Sequence, residues 1–200
     1  KPAIAEANIK VIQAGYDYGH NTHASVAHTY KIESKTTVPG RYMDITGNKA
    51  TAYGFIAAAE KAGLKLFLGS YPITPATDVL HELSKHKSLG VMTVQCEDEI
   101  SGCATSIGAA FAGALAVTST SGPGVCLKSE AMNLAVITEL PLVVLDVQRG
   151  GPSTGLPTKS EQTDLLQSLF GRNGESPMPV IAASSPTSCF DAAYMASKIA

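Results

Sequence analysis

The chain has 200 residues, enough for one domain with a sizeable core, and 44% of them are apolar. A formal net charge of −2 offers no general attraction to nucleic acid or to an anionic membrane, so neither is expected as a partner. Gly, Lys or Glu breaks every apolar run before bilayer length, and Cys96, Cys103, Cys126 and Cys189 form no CxxC pair, which argues against a zinc site or an iron–sulfur cluster held by this chain.

Scattered thiols with apolar neighbours fit a reducing compartment, and the chain reads as soluble and cytoplasmic. The opening KPAIAEANIK has neither an initiator methionine nor a secretory layout, and a helix is still running at Ala200, so an excerpt of a longer polypeptide is expected. Ala3 to Gly15 reads as a helix ended by Gly15, and Tyr16 to Tyr30 shows no periodicity. Lys31 to Gly47 is charged and punctuated by Pro and Gly, as a connection would be, which places a boundary near Thr46. His20, His23 and His28 come without acid or thiol partners at ligand spacing. They read as solvated side chains, and no metal site is expected.

From Asn48 the pattern becomes regular. A helix to Ala62 is closed by Gly63. Strand Leu64 to Gly69, the turn SYPITP, helix Thr77 to His86 and strand Val91 to Val94 follow. Next come a helix after Glu99, strand Ala114 to Thr118, a helix from about Cys126 to Thr138, and strand Leu142 to Val147. After a Gly/Pro loop, Thr158 and Glu161 are spaced as a capping box for another helix. Strand Val180 to Ala183 precedes a last helix, begun by Ser185-Pro186. Apolar strands alternating with helices predict an α/β fold: a three-layer, doubly wound, mainly parallel sheet.

Loops at strand carboxyl ends would converge on the edge where such sheets bind ligands. In Ser70 to Thr77 two prolines fix φ around Thr74, whose hydroxyl is either a ligand or the cap of the next helix with Pro75 at its first position. Glu97, Asp98 and Glu99 end one strand and begin a helix of small residues, where acids also complement a helix dipole. Thr118 to Gly124, TSTSGPG, offers hydroxyls and open backbone amides but matches neither a P-loop nor a dinucleotide fingerprint, and Lys128 follows too late for the former. Gln148 to Thr158 puts Arg149 at the end of the most apolar strand, where its charge needs either an anionic ligand or an internal partner such as Asp146 or an acid of the triplet.

Together YPITP (71–75), the acidic triplet (97–99), TSTSGPG (118–124) and QRGGPSTGLPTKSEQTDL (148–165) resemble the α subunit of thiamin-diphosphate-dependent 2-oxoacid:ferredoxin oxidoreductases, most closely the 2-oxoglutarate type. The resemblance covers about Asn48 to Ala200. It implies a pyrimidine-binding domain over residues 46–200, cut short at its C-terminal end, and residues 1–45 as the tail of an upstream γ-type domain and linker. It implies CoA-dependent oxidative decarboxylation of a 2-oxoacid with reduction of ferredoxin. Thiamin diphosphate would be shared with a β subunit that holds the diphosphate, Mg²⁺ and a 4Fe–4S cluster. Glu99 would bond N1′ of the aminopyrimidine, with Glu97 as fallback. Tyr71, Pro72, Ile73, Ser121 and Gly122 would line the cofactor, and Thr74, Arg149 and Thr158 the substrate. Other readings remain open: a branched-chain or aryl 2-oxoacid oxidoreductase, a non-oxidative thiamin decarboxylase, or a non-catalytic module of the same fold.

Overall fold

A computed structural model describes residues 2–22, 30–33 and 38–200. The chain divides into two compact units, Lys1–Tyr42 and Met43–Ala200. The first contains helix α1 (Pro2–Thr22), which buries none of its residues. Gly15 does not end it. Gln13 Nε2 donates to Asp17 Oδ1 at 2.9 Å, Tyr16 stacks on His20, and Thr22 Oγ1 donates to Tyr18 O. Pairs four residues apart offset the roughly 1 kcal/mol that one interior glycine costs. His23 and His28 lie outside the described residues.

In the second unit α2 (Gly47–Ala62) starts where the Thr46 side chain accepts from Lys49 N and stops at Gly63, whose φ of 69° suits a residue without Cβ. Then follow β1 (Leu66–Ser70), α3 (Thr77–Leu83), a short 3₁₀ turn, β2 (Val91–Gln95), α4 (Glu99–Phe111) and β3 (Leu115–Thr120). The chain continues with α5 (Gly122–Ile137), β4 (Val143–Asp146), α6 (Leu165–Phe170) and α7 (Pro186–Ile199). All strand pairs are parallel, in the order β2-β1-β3-β4. The chain winds outward from β1 to β2 and then returns to β3 on the opposite side of β1. The switch point therefore lies between the carboxyl ends of β1 and β3.

Alternation along the strands makes two different faces. Leu66, Leu68, Leu115, Val117 and Val143 pack with Phe55 of α2, Val79 and Leu83 of α3 and Ala193 of α7. On the other side Cys103 and Ile107 of α4 meet Ala131, Met132 and Ala135 of α5, with Val144 beside them. Helices thus cover both faces, in three layers as expected. Small residues set the spacing of α4: a Cβ at Gly69 would lie 2.5 Å from Gly102 O and 2.6 Å from Ser106 Oγ.

Several sequence expectations need correction. Helix α5 begins four residues before Cys126, because Gly122, Pro123 and Gly124 form its first turn rather than a free glycine turn. Helix α3 is shorter than expected, and its N-cap position is Ala76, so Thr74 is not a cap and Pro75 is not the first helical residue. No helix starts at Thr158. The next one begins at Leu165, since residues 150–159 close on themselves through Gly150 N to Lys159 O (2.8 Å) and Leu156 N to Gly150 O (2.8 Å). Val180 to Ala183 is no strand: among the described residues no strand pairs with it, and its apolar residues stay exposed. At α7, by contrast, Ser185 caps as expected and Ser188 completes the capping box.

Candidate functional site

Four parallel strands aim their carboxyl ends at one edge, and the loops leaving them meet there. Ser70, the last residue of β1, and Ser119 of β3 are buried, with their hydroxyl oxygens 2.7 Å apart. This link ties the two strands at the switch point. The following loop is braced by Asn48 Nδ2, which donates to Pro75 O at 2.9 Å. Tyr71, Pro72 and Ile73 are half-buried along it, and Thr74 is exposed.

The acidic triplet divides its labour. Asp98 is the N-cap of α4 and accepts from Ser101 N at 2.8 Å, so the helix-dipole reading of the triplet applies to it. Glu97 is exposed. Glu99, in the first turn, is only 8% exposed, and its side chain makes no hydrogen bond among the described residues. Its Cγ packs against Gly124, where a Cβ would come within 2.8 Å of it. The glycine of the TSTSGPG stretch is thus needed to let the acid side chain pass. Ser121, at the N-cap of α5, is fully buried, and its hydroxyl has no partner. Gly122 adjoins it as the first residue of the helix.

Arg149 is 6% exposed. Its Nη1 donates to the Thr74 carbonyl at 2.8 Å, while its buried Nε has no partner. Neither Asp146 nor any acid of the triplet forms an ion pair with it among the described residues. The internal-partner alternative is therefore not what the fold provides. Thr158 lies exposed on the outer arm of the loop and makes no side-chain hydrogen bond there. The structure brings together Glu99 with Gly124 and Arg149 with Thr74, and leaves Glu97 and Thr158 at the surface.

Sequence reasoning passed over three groups. Lys128 of α5 is fully buried; its Nζ reaches back over β3 to donate to Thr118 Oγ1 at 2.6 Å and Ser119 O at 3.2 Å. Burial pushes this amine down to about 8, against the opposing charges of Cys103, Glu99, Cys96 and Asp146. Asp146, at the end of β4, is pushed up to about 8, first by burial and then by the neighbouring Asp164. Asp164 is 6% exposed, receives Thr163 Oγ1 at 2.8 Å, and lies on Gly122. Asp146 is marked in the sequence as an acid on an otherwise apolar strand, whereas Lys128 and Asp164 stand among other polar residues and read as ordinary surface side chains. Among the described residues no group of three or more His, Cys, Asp or Glu could hold a metal ion.

The chain has known relatives. The 2-oxoglutarate oxidoreductase subunit KorA of Mycobacterium tuberculosis is 61% identical over 200 residues, which are 100% of this chain and 30% of that protein. The 2-oxoglutarate synthase subunit KorA of Archaeoglobus fulgidus is 43% identical over 152 residues, 76% of this chain and 42% of that one. Among solved structures, the 2-oxoglutarate:ferredoxin oxidoreductase from Magnetococcus marinus with 2-oxoglutarate, coenzyme A and succinyl-CoA bound superposes with a TM-score of 0.72 at 43% identity. That match covers 76% of this chain and 26% of the other. The chain therefore spans less than half the length of these relatives. The family described as pyruvate flavodoxin/ferredoxin oxidoreductase, thiamine diphosphate-binding, matches residues 57–200, and this chain belongs to it.

Proposed function

We propose that residues 46–200 are the pyrimidine-binding domain of the α subunit of a 2-oxoglutarate:ferredoxin oxidoreductase, a cytoplasmic hetero-oligomer that converts its substrate to an acyl-CoA with reduction of ferredoxin. Residues 1–45 belong in this reading to the end of a preceding γ-type domain and its linker. The β subunit supplies the diphosphate and Mg²⁺ contacts and a 4Fe–4S cluster. One observation carries the reading: a buried carboxylate without a hydrogen bond to its side chain among the described residues, and a buried guanidinium whose Nε has no partner, stand at the same sheet edge. Charges are not left so unless something meets them.

The residues fit the aminopyrimidine of thiamin diphosphate, since Glu99 has an unused carboxylate beside Gly124 and Ser121 an unused hydroxyl next to Gly122. Bound there, the cofactor supplies the carbanion chemistry that a protein side chain cannot. Glu99 holds a proton at the pyrimidine N1′ and so favours the imino tautomer. Tyr71, Pro72 and Ile73 wall the ring. Arg149 takes the substrate carboxylate with paired, charge-assisted hydrogen bonds, a geometry a lysine cannot copy. Thr74 and, more distantly, Thr158 add hydroxyls on the same side. The relatives named for 2-oxoglutarate, and the bound 2-oxoglutarate and coenzyme A of the solved structure, favour that substrate over a branched-chain or aryl acid.

The test is an assay of the complex co-purified with the full α chain, using 2-oxoglutarate, pyruvate and a branched-chain oxoacid, with and without coenzyme A, and ferredoxin as acceptor. Coenzyme-A-dependent reduction fastest with 2-oxoglutarate is expected. Equal rates with pyruvate, or turnover without coenzyme A, would assign the chain to another thiamin enzyme.

A further inference from the structure

Among the described residues, the buried side-chain atoms without a hydrogen-bond partner are Ser121 Oγ, Asn133 Oδ1, Asp146 Oδ1, Arg149 Nε and Asp164 Oδ2. All but Asn133 belong to the carboxyl edge of β3 and β4 or to the loop that leaves it. Two are carboxyl oxygens. Asp164 is buried, and Asp146 is half-buried with its Oδ1 shut off from solvent; a buried acceptor with no donor costs about 1–3 kcal/mol, and a second carboxylate charge beside it costs more. Both costs fall if one acid keeps its proton and donates it to the other.

The geometry supports that arrangement. Asp146 closes β4 opposite Thr120. Asp164 is fixed by Thr163 Oγ1 and by the start of α6, where Ser168 N donates to its carbonyl at 2.8 Å. Its carboxyl group lies on Gly122, where a Cβ would fall 2.5 Å from Oδ1. The charged groups that face Asp146 are Asp164 on the loop and Lys128 on α5. Lys128 is itself faced by Glu99, Cys96 and Cys103, and spends its protons on Thr118 and Ser119. It makes no hydrogen bond to Asp146 among the described residues. Within the chain, the donor at hand is the acid pair itself.

We propose that Asp146 and Asp164 share one proton, and that this O–H···O link latches the loop of residues 147–164 onto β4 so that Arg149 is held at the sheet edge. The acids are positioning residues. Thr163 carries the effect, since its hydroxyl donates to Asp164 and lies 3.5 Å from Arg149 O. When the proton leaves to solvent, a buried and a half-buried negative charge repel and the loop loses its anchor. Burial pushes Asp146 up to about 8, so the latch is closed at neutral pH and opens above it. The inference rests on the reading of Arg149 as the ligand of the substrate carboxylate.

The experiment uses the assembled complex carrying Asp164→Asn, Asp164→Ala or Asp146→Asn. The KM for 2-oxoglutarate is followed against pH, alongside the infrared carbonyl band of a protonated carboxyl group in the absence of substrate. Because only the latched fraction binds, the wild-type KM should rise about tenfold per pH unit above the pH at which the proton leaves, with little change in kcat. An amide supplies a hydrogen and does not titrate, so Asp164→Asn should hold KM nearly flat over the same range. Asp164→Ala should raise it at every pH, and Asp146→Asn should remove the infrared band. An Asp164→Asn profile that follows the wild type, or a band that survives in Asp146→Asn, overturns the shared proton. If instead Arg149→Ala leaves KM unchanged, the substrate reading fails by itself, and the infrared band still decides the question of the proton.

Discussion

The two faces of the sheet are built from alternate residues of the same strands, yet they answer to different physics. Toward α2, α3 and α7 the strands' contacts are an aliphatic and aromatic cluster, and removal of apolar area from water stabilises it without regard to direction. Toward α4 and α5 the same strands present Thr118 and Asp146, with Ser106 and Lys128 closing over them from the helices. Here a second apolar cluster shares the face with these polar groups, and each polar atom needs a particular partner. The first face can exchange one residue for another of similar volume. The second cannot, because a missing donor or an extra charge at the end of β3 or β4 is transmitted to the edge where Glu99 and Arg149 stand.

Four substitutions separate the faces, beginning with the largest expected effect. Glu99→Gln should lower kcat by about 10² to 10⁴ with unfolding by denaturant unchanged, since it removes a proton partner and no packing. Exchange of the C2 hydrogen of bound thiamin diphosphate checks the cause, and wild-type exchange in the variant would move the role to Glu97. Phe55→Ala does the reverse: it should cost about 3–5 kcal/mol of stability and leave the KM of the folded protein alone. An altered KM would show that the aliphatic face also tunes the site.

Arg149→Ala should reduce kcat/KM by about 2–5 kcal/mol equivalent through KM, with cofactor affinity preserved. Loss of both affinities together, or failure to fold, would make Arg149 a structural residue. Lys128→Met tests the polar face through pH. A lysine held at about 8 in the fold and 10.5 in the unfolded chain carries a charge penalty below 8 that is relieved as pH rises toward 10.5. Cys103, pushed up to about 11 from 9.0 by burial, works in the opposite direction between those two values. Lys128 faces that thiol and lowers it, so the comparison is made in a Cys103→Ala background, where the difference between the two proteins no longer carries the thiol. That difference should show the protein with Lys128 gaining stability on the order of 3 kcal/mol relative to Lys128→Met between about pH 8 and 10.5. A flat difference would mean that Lys128 keeps its charge in the fold, well paired.

The same contrast explains what could be read from the sequence. The aliphatic face announces itself by period, so β1 to β4, the Gly63 stop and the Ser185 cap were all legible. Val180 to Ala183 has the composition of a strand but no partner, and a strand exists only through its ladder. Thr158 and Glu161 have capping-box spacing, but a loop closed by its own backbone bonds left no helix for them to start. That Arg149 needs a partner was legible because a charge at the end of an apolar strand is costly, whereas Glu99 was singled out by the resemblance alone. Which acid of the triplet turns inward was not legible, because it depends on Gly124 leaving room across another element. Lys128 was dismissed by motif spacing, and the pairing of Asp146 with Asp164 joins positions 18 residues apart that only the fold makes neighbours.

One hydroxyl deserves a kinetic reading. Ser106 Oγ, fully buried in α4, accepts from Gly69 N of β1 at 3.2 Å and offers its single proton to Val117 O of β3 or Gly102 O of its own helix, each at 2.9 Å. A helix side chain is thereby inserted into the hydrogen bonding of two strands. Solvent reaches the Gly69 amide only when α4 lifts from the sheet, so deuterium uptake at that amide times the opening of α4. Because Glu99 begins the same helix, that opening also sets how often the acid leaves its place.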